Sequence, residues 1–553
     1  MRTIGYLSME IGLDASIPTY AGGLGILAGD TVRAAADLGL TFVAATLLYR
    51  DGYFTQRLDA HGQQSEVPTA WNPERSLEPV DALVSVPIFG RRVYIRAWRR
   101  LVRGVHGSEA FVYFLDTNLD LNHPDDRNIT DALYASGTEK RLAQEIVLGI
   151  GARRMLRAIG HQIDLFHLNE GHAALLAVEL LSEQLAIRNT GVIDDAMILE
   201  VRRHCIFTTH TPIPGGHDQF PLDQVRAAVG DHPIFNRPDL CTQGGMFHTT
   251  RFLINLCGKV NGVARRHGEV TRGMFPGASI THVTNGVHTA TWVVPTMGAL
   301  YDSVAPTWRS DAAELMQVLS VRDDDMLSAR YEAKEALAAM VHRRVGVSLD
   351  PRLLTLGFAR RQTEYKRPAM LLSDPGRLAA IAQSAGGLQV VYAGKAHPGD
   401  GIGRGIIREI HQAAERLRER VRVVFLPDYD MDQARTIVSG VDVWVNTPRP
   451  PLEASGTSGM KAAANGVPSL STPDGWWLEG CVEGVTGWFI GREGQTDEQD
   501  AEDLFATLAT RVLPAYRDRG VWASICKHAA ALNGPRFSAH RMIQDYASRL
   551  YFG

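Results

Sequence analysis

The sequence has few cysteines, and none of them are spaced as the paired cysteines of a metal site or redox motif would be. Cys205, Cys241, Cys257, Cys481 and Cys526 are five in number, widely separated and without a CxxC motif. This pattern argues against a disulfide framework and against a zinc site built from paired cysteines. An HExxH motif is absent as well, so a metalloprotease-type site is not predicted. We expect reduced, structural thiols and no bound metal.

Long hydrophobic runs are missing too. The opening stretch, MRTIGYLSMEIGLDASIP, carries Glu10 and Asp14 where a signal peptide requires an uninterrupted apolar core. No later segment is apolar over the length that a bilayer requires. The chain is therefore predicted to be cytoplasmic and to have no membrane partner.

A large excess of charge of one sign is also absent. The chain has 57 Lys and Arg against 61 Asp and Glu, a formal net charge of -4. Such a balance gives no global attraction for nucleic acid or for an anionic membrane surface. We expect a compact substrate and no nucleic-acid partner.

What the sequence does have is length and a regular alternation of apolar runs with amphipathic stretches. Its 553 residues, 45% of them hydrophobic, are enough for two large domains. The alternation predicts an α/β fold with parallel sheets. In the second half, a doubly wound domain is predicted from four runs that each end in a polar or Gly/Pro turn: RLLTLGFA, LQVVYAG, VRVVFLP and VDVWVNTP. Because ligands bind beyond the carboxyl ends of such strands, we expect the site at the turns 360–367, 394–399, 427–429 and 448–461.

The first half predicts a second α/β domain. The runs IDLFHLNEGH, HCIFTTHTPIPGGHD and ASITHVTNGVH each predict a strand that delivers His, Asn or Glu at its end. We place the first domain at residues 1–297 and the second at 298–530, the boundary lying in the connector 292–351. The last segment, 531–553, is predicted to be a helix that crosses back to the first domain.

Two segments have a pattern suited to binding an anion. In YAGGLGILAGD, a glycine cluster that includes Gly22 and Gly23 precedes a helical run. Its bare N–H groups either meet an anion or form a tight turn packed against a neighbour. In RRQTEYKRP, four cations follow a strand and indicate either a phosphate site or a solvated basic turn: Arg360, Arg361, Lys366 and Arg367.

The segment EASGTSGMKAAANG places one lysine, Lys461, at the start of a predicted helix. The turn before it, with Gly456, Thr457, Ser458 and Gly459, offers N–H groups to an anion, although the spacing is not that of a P-loop. A lysine among alanines can be held as the neutral amine that reacts with an aldehyde. The alternative is an ordinary surface lysine.

The histidines of the first half and one asparagine carry weaker signals. His167, His172, His210 and His217 lie near predicted strand ends without metal-ligand spacing, so we interpret them as structural or substrate-contacting. Asn285, in VTNGVH, is either an ordinary turn residue or a reader of hydroxyl groups.

Eight segments together resemble, in order, the α-glucan (glycogen, starch, maltodextrin) phosphorylase family. They are YLSMEIGL, YAGGLGILAGD, HLNEGHAAL, TTHTPIPGGHD, TNGVH, RRQTEYKR, YAGKAHPGD and LEASGTSGMKAAANG. The resemblance implies two Rossmann-like doubly wound domains facing a cleft, the GT-B arrangement. It also implies covalently bound pyridoxal 5'-phosphate (PLP) and reversible phosphorolysis of the non-reducing end of an α-1,4-glucan to α-D-glucose 1-phosphate with retention.

The resemblance further implies a role for each matching residue. Lys461 would carry PLP, with the cofactor phosphate on the backbone of Gly456, Thr457 and Ser458 and with Gly22 and Gly23 closing over the cofactor and substrate phosphates. Arg361 and Lys366 would hold inorganic phosphate, and sugar contacts would come from Glu453, Ser455, Asn285 and His210. The catalytic group implied in this way is Lys461, Arg361, Lys366 and His210. No enzyme carboxylate pair is required, unlike in most glycoside hydrolases, so Glu453 is a binder rather than a nucleophile.

Some positions depart from the long animal-type members of that family. Where those members have other residues, this chain has Gly12, Asp430, Ser458, Gly459 and the pair Trp476 and Trp477. The chain begins close to the first motif, so we expect no AMP or phosphoserine control and a preference for maltodextrins. The alternatives are a phosphorylase with another sugar or acceptor, a nucleotide-sugar glycosyltransferase of the same arrangement, or a carbohydrate-binding protein without activity. A homo-oligomer is compatible with every one of these functions.

Overall fold

The protein is an α/β protein whose sheets are mainly parallel, which confirms the predicted class. The computed structural model describes residues 2–134 and 137–553. The strands, in chain order, are β1 Ile4–Ser8, β2 Phe42–Leu47, β3 Thr55–Leu58, β4 Gln64–Val67, β5 Glu78–Ile88, β6 Arg91–Arg103, β7 Glu109–Asp116, β8 Leu165–Asn169, β9 Cys205–Thr208, β10 Gln219–Pro221, β11 Thr242–Gln243, β12 Met246–His248, β13 Lys259–Gly262, β14 Ile280–His282, β15 Leu354–Ala359, β16 Leu388–Ala393, β17 Arg422–Leu426, β18 Val443–Asn446, β19 Ser469–Ser471 and β20 Gly487–Phe489.

Helices connect and flank these strands. They are α1 Gly23–Asp37, α2 Pro124–Arg127, α3 Thr138–Ile146, α4 Ala152–Ala158, α5 Leu176–Arg188, α6 Asp195–Arg203, α7 Leu222–Val229, α8 Pro238–Cys241, α9 Thr249–Leu256, α10 Arg265–Met274, α11 Thr289–Trp292, α12 Pro295–Asp302, α13 Asp323–Val345, α14 Pro375–Ala385, α15 Gly401–Leu417, α16 Met431–Gly440, α17 Ser458–Ala464, α18 Trp477–Gly480, α19 Asp497–Thr507, α20 Leu513–Arg517, α21 Arg519–His528, α22 Gly534–Arg536 and α23 Ala539–Tyr546. Within the described ranges, no helix combines the length and the apolar character needed to span a bilayer.

The chain divides into two compact units. The first comprises Met1–Phe54, Pro68–Thr284 and Met542–Gly553, and the second comprises Thr55–Val67 and Asn285–Arg541. The domain limits expected from the sequence, 297/298 and 530/531, remain predictions.

The first unit is built on one large sheet. Its strand order is β14-β13-β9-β8-β1-β2-β7-β6-β5. The strands from β14 to β7 are parallel, and β6 and β5 are added in antiparallel fashion. Apolar residues on β1, β2, β7 and β8, such as Leu7, Val43 and Leu168, lie in the buried core. The strands expected from IDLFHLNEGH, HCIFTTHTPIPGGHD and ASITHVTNGVH are confirmed as β8, β9 and β14.

The segment after α23 packs on this first sheet. His167 on β8 exchanges hydrogen bonds of 2.8 Å with the hydroxyls of Tyr551 and Thr208. Asn261 on β13 donates to the hydroxyl of Tyr546 at 3.1 Å. A chain of buried polar groups therefore attaches the C-terminal residues to the first unit.

The second unit contains a parallel sheet in the order β17-β16-β15-β18-β19-β20. All of its strand pairs are parallel. The strands predicted from the four apolar runs of the second half are confirmed as β15 to β18. The order of the strands reverses between β15 and β18, and in open α/β sheets such a reversal is where ligands bind.

Candidate active site

The loops after β15 and β18 meet at the reversal point of the second sheet. Because both strands are parallel and adjacent, their carboxyl ends lie at the same edge. One loop carries the segment 360–367, and the other runs from Thr447 to Thr457, where α17 begins. Two of the four turns expected at the site are therefore neighbours in space.

Three charged side chains form the centre of this edge. Nη2 of Arg360 lies 2.8 Å from Oε2 of Glu453, and Nζ of Lys366 lies 2.9 Å from the same oxygen. The side chains are 7%, 8% and 11% exposed for arginine, lysine and glutamate respectively. Burial alone would raise the pKa of the Glu453 carboxyl, but Arg360 and Lys366 lower it to about 2. Glu453 is therefore ionised at neutral pH.

Backbone contacts fix the position of Glu453. Its N–H donates to Oδ2 of Asp474 at 2.8 Å. Gly456, three residues later, has a φ of +76°, a conformation that glycine adopts without strain. A Cβ at Gly456 would lie 3.4 Å from Oε1 of Glu453 and 3.5 Å from Nη2 of Arg360. The glycine turn therefore leaves little spare room around the ion pair.

Lys461 is buried on α17 rather than exposed on a surface helix. Its relative exposure is 6%, and Nζ lies 3.9 Å from the ring centroid of Trp292. Asn465 joins the helix to the segment that carries this tryptophan: its Nδ2 donates to the backbone oxygens of Trp292 and Lys461 at 2.9 Å, and its Oδ1 accepts from the N–H of Val294 at 3.0 Å. The lysine is thus buried and held against an aromatic face.

Among the buried polar atoms of this unit that have no hydrogen-bond partner within the described residues, three belong to residues singled out from the sequence. They are Oδ1 of Asn285, Nη1 of Arg360 and Oγ of Ser455. Their residues are 3%, 8% and 3% exposed. Since buried polar groups are normally satisfied, atoms left over in this way mark a place for ligand contacts. For Asn285, this favours the hydroxyl-reading interpretation over the ordinary turn residue.

The four cations of the segment 360–367 divide into different roles. Arg360 and Lys366 are buried in the ion pair with Glu453, and Arg361 is exposed. Arg367 is used structurally: it donates to the backbone oxygens of Thr447 and Pro448, and its guanidinium pairs with Asp497 at 2.7 Å. The interpretation as a solvated basic turn is therefore wrong for three of the four.

The other two expected turns are covered by the hairpin of β3 and β4. Gln56 donates to the backbone oxygen of Gly394 at 3.2 Å, and its own N–H donates to Asp428 at 3.0 Å. Gln64 makes a reciprocal pair with the backbone of Ala396, at 2.9 and 3.0 Å. The turns after β16 and β17 thus use these polar groups to bind a hairpin from another part of the sequence.

Trp476 and Trp477 are core residues that pack behind α17. They are 2% and 1% exposed. A Cβ at Gly459 would lie 2.7 Å from Cζ2 of Trp476, so the glycine in α17 and the large indole fit each other. Ser458, beside this glycine, accepts a hydrogen bond of 3.2 Å from Nε1 of Trp444. Gly459 and Trp476, two of the positions singled out from the sequence, are therefore coupled by packing.

The glycine segment of the first unit leads into α1 as predicted, with Gly22 as its N-cap. Both N–H groups before the helix, those of Ala21 and Gly22, donate to Oε2 of Glu10 at 2.6 and 3.2 Å. Oε1 of Glu10 accepts from the hydroxyl of Tyr134 at 2.6 Å. A Cβ on Gly22 or Gly23 would meet nothing within 4 Å, so packing against a neighbour does not explain these two glycines.

His210 follows β9 and is held by groups at the end of β8. Its Nε2 lies 2.6 Å from Oδ1 of Asn169, and its N–H donates to Oε2 of Glu170 at 2.7 Å. Because the amide oxygen only accepts, Nε2 carries the proton and Nδ1 is an acceptor. Burial, followed by nearby histidines, lowers the pKa of His210 well below its usual value, so the ring is neutral. Glu170 has a φ of +74°, a strained conformation of the kind that clusters at functional sites.

Three more of the singled-out residues make contacts with neighbouring side chains or backbone. His167 is the buried partner of Tyr551 described above, and His217 bonds to Oγ1 of Thr250 at 2.9 Å. Asp430 caps α16 through Gln433. The cysteines are free, as expected, and all but Cys481 are fully buried.

Several site residues could not be found from the sequence alone. Arg360 was indistinguishable from its neighbours in a basic run, and Trp292 and Asp474 carry no motif that links them to Lys461 or Glu453. Their contacts form only when the strands and helices of the second unit pack together. The signal that the sequence offered was, for Arg360, its position directly after the predicted strand RLLTLGFA.

The fold and this set of buried lysine, cations and carboxylate define a class of protein. The chain belongs to the carbohydrate phosphorylase family, whose model matches residues 231–483. A maltodextrin phosphorylase from Thermococcus litoralis is 37% identical over 99% of this chain and 70% of its own. Glycogen phosphorylase from Mycobacterium tuberculosis is 35% identical over 99% of this chain and 70% of its own. Glycogen phosphorylase from Aquifex aeolicus is 34% identical over 100% of this chain and 86% of its own.

Proposed function

We propose that this protein is an α-1,4-glucan phosphorylase that releases α-D-glucose 1-phosphate from the non-reducing end of maltodextrin or glycogen-type glucans, with retention. The observation that carries the proposal is a buried lysine, Lys461, directly after a loop whose Glu453 pairs with two cations. Relatives named maltodextrin and glycogen phosphorylase, aligned over nearly the whole chain, support it. The substrates are then the glucan and inorganic phosphate.

The residues around Lys461 fit pyridoxal 5'-phosphate. Lys461 is buried against the face of Trp292, and a lysine amine is the group that forms a Schiff base with an aldehyde. The backbone of Gly456, Thr457 and Ser458 and the buried guanidinium of Arg360 suit the phosphate of the cofactor. When bound through its aldehyde to Lys461, the cofactor would supply a phosphate group able to exchange a proton with the substrate phosphate. Gly22 and Gly23 would close over the two phosphates.

Lys366 and Arg361 are proposed to hold the inorganic phosphate. Two phosphate groups in contact repel by about 4 kcal/mol per pair of unit charges at 4 Å and an effective dielectric of 20. Two further cations offset most of this repulsion. Arg361 is exposed and Lys366 is buried, so the pair offers one guanidinium at the surface and one buried ammonium.

Glu453, Ser455 and Asn285 are proposed to bind sugar hydroxyls. Glu453 has a pKa of about 2, so it neither donates a proton nor needs to be deprotonated. It accepts hydrogen bonds and fixes the sugar. Ser455 and Asn285 each add a buried oxygen without a partner among the described residues.

His210 is proposed to accept a sugar hydroxyl at Nδ1, since Nε2 is occupied by Asn169. A neutral ring adds no positive charge where the anomeric carbon becomes positive. The backbone carbonyl of the same residue would face that carbon. The two Rossmann-like domains of the GT-B arrangement and the cytoplasmic location are part of the same proposal.

The test is release of glucose 1-phosphate from maltoheptaose by wild type and Lys461→Ala, with and without phosphate. We expect phosphate-dependent release by wild type and at least about 1,000-fold less by the variant, because its anchor for the cofactor is gone. Lys527→Ala, at a lysine in α21 that pairs with Asp323, is the matched control. A wild type that contains PLP yet releases nothing would contradict the glucan assignment and indicate another sugar or acceptor.

A further inference from the structure

One ion pair joins a residue that is proposed to bind sugar to a residue that is proposed to bind phosphate. Nζ of Lys366 lies 2.9 Å from Oε2 of Glu453. Both side chains are nearly buried, at 8% and 11% exposure. Screening by water is therefore weak, and a change at either group is felt by the other.

The two substrates make opposite demands on this pair. Phosphate requires the ammonium of Lys366, but the carboxylate of Glu453 already holds it and also repels the incoming anion. Sugar hydroxyls donate to Glu453, and each such donor weakens its hold on the ammonium. A site that contains sugar thus has a more available lysine than an empty one.

A second set of contacts keeps Glu453 in place while Lys366 changes partner. Nη2 of Arg360 pairs with Oε2 of Glu453 at 2.8 Å, and Asp474 accepts the N–H of Glu453 at 2.8 Å. Within the described residues, Lys366 pairs with no second carboxylate, and its ammonium also lies 4.7 Å from the centroid of the Tyr365 ring. The lysine is thus the partner that is able to move.

From this geometry we propose that Lys366 shifts from Glu453 to the oxyanion as the site fills, so that glucan and phosphate each tighten the binding of the other. The proposal rests on the function proposed above and names the residue, Glu453, that carries the coupling. By linkage, the factor by which sugar tightens the anion equals the factor by which the anion tightens sugar. The coupling between the two substrates is positive because each substrate weakens the ion pair between Lys366 and Glu453, and this ion pair opposes binding of the other substrate.

The test uses the PLP-loaded protein and sulfate in place of phosphate, so that both ligands bind without turnover. Isothermal titration calorimetry gives the Kd of maltoheptaose with and without saturating sulfate, and the Kd of sulfate with and without maltoheptaose. For wild type we expect each ligand to lower the Kd of the other by the same factor, about fivefold or more.

Glu453→Gln keeps the shape of the side chain and removes the charge that holds Lys366. In this variant, sulfate without sugar should bind as tightly as it binds wild type with sugar, and maltoheptaose should no longer change the Kd of sulfate. Glu364→Gln is the matched control, because it removes an exposed carboxylate from the same segment and lies outside the ion pair. It should keep the coupling. Absorbance of the cofactor and the unfolding temperature establish that both variants are folded and loaded.

The outcomes separate the coupling from the function. Phosphorolysis by a wild type in which sulfate leaves the Kd of maltoheptaose unchanged would overturn the coupling and leave the function standing. Unchanged or weaker sulfate binding by folded Glu453→Gln would overturn the role of Glu453. If that variant does not fold, the wild-type titration alone decides. A protein that binds neither ligand and shows no phosphorolysis would overturn the proposed function and the coupling with it.

Discussion

At the scale of single residues, the partners of a side chain decide what it does. Glu453 is a carboxylate beside a proposed reaction centre, yet Arg360 and Lys366 hold its pKa at about 2. A group with that pKa cannot serve as an acid at neutral pH. Lys461 shows the converse, since burial against Trp292 separates it from the ordinary surface lysine.

Gly459 gives a prediction at this scale, because its lack of a side chain makes room for Trp476. Gly459→Ala would place a Cβ 2.7 Å from Cζ2 of the indole. We expect the free energy of unfolding to fall by about 1 to 3 kcal/mol, the usual cost of overpacking. Urea denaturation measures it. Trp476→Phe opens the space, so the double variant should lose at least about 1 kcal/mol less than the sum of the single variants.

The matched control for this prediction is Gly405→Ala in α15. A Cβ there meets only the flexible end of Arg408, at 3.8 Å. The helix should gain up to about 1 kcal/mol from alanine. Equal effects at the two glycines would show that helix propensity, not the contact with Trp476, controls the stability of α17.

At the scale of elements, the second sheet is contacted by a hairpin, β3 and β4, that lies far from the strands of this sheet in the chain. The hairpin of β3 and β4 presents two buried glutamines, Gln56 and Gln64, which are 3% and 2% exposed. Their amides bind the backbone of Gly394 and Ala396 after β16. The hairpin therefore satisfies backbone groups that a strand end would otherwise leave to solvent.

Gln64 and its neighbour give a matched pair of variants. Gln64→Ala leaves the N–H and C=O of Ala396 without their partner, and we expect a loss of about 1 to 3 kcal/mol in the free energy of unfolding. Gln63 is exposed, so Gln63→Ala should cost less than about 0.5 kcal/mol. Limited proteolysis at residues 59–62 should be faster in Gln64→Ala. Equal stability of the two variants would mean that the hairpin does not depend on this amide.

The elements also show how far sequence reasoning reaches. Strands β15 to β18 were predicted because each is a long apolar, β-branched run that ends in a turn. The hairpin was missed because its strands are short and polar, and its stability comes from amide bonds to residues more than 300 positions away. In the site, Lys461, Lys366 and Glu453 were found by motif. The pairing of Arg360 with Glu453 depends on the adjacency of β15 and β18, and the contact of Trp292 with Lys461 depends on the packing of α11 against α17. No local sequence pattern contains either.

At the scale of the whole molecule, the first unit contains several buried histidines whose pKa is lowered. Burial lowers the pKa of His167 and His172 to about 3 and that of His217 and His267 to about 4. Such histidines are neutral in the folded protein and take up protons on unfolding. Glu145 and Glu170, whose pKa values are raised by burial, act in the opposite direction, because unfolding lets them release protons.

The histidines outnumber the glutamates, so we expect the first unit to lose stability on acidification. The loss begins as the pH falls below about 6.5, the usual pKa of histidine in an unfolded chain, and grows until the folded pKa of about 3 to 4 is reached. Each histidine contributes a slope of about 1.4 kcal/mol per pH unit within this window. Hydrogen exchange at pH 5 should therefore show faster global opening in the first unit than at pH 7.5.

His167 isolates this effect, because its close partners are the uncharged side chains of Tyr551, Thr208 and Tyr546. His167→Gln should lower stability at pH 7.5 through lost hydrogen bonds, and its stability should fall less steeply between pH 6.5 and 4.5, by about 1.4 kcal/mol per pH unit. Urea unfolding at several pH values measures both the stability at pH 7.5 and its dependence on pH. His106 is exposed, so His106→Gln should keep the slope of wild type. An unchanged slope in His167→Gln would show that the acid sensitivity of the first unit comes from groups other than this histidine.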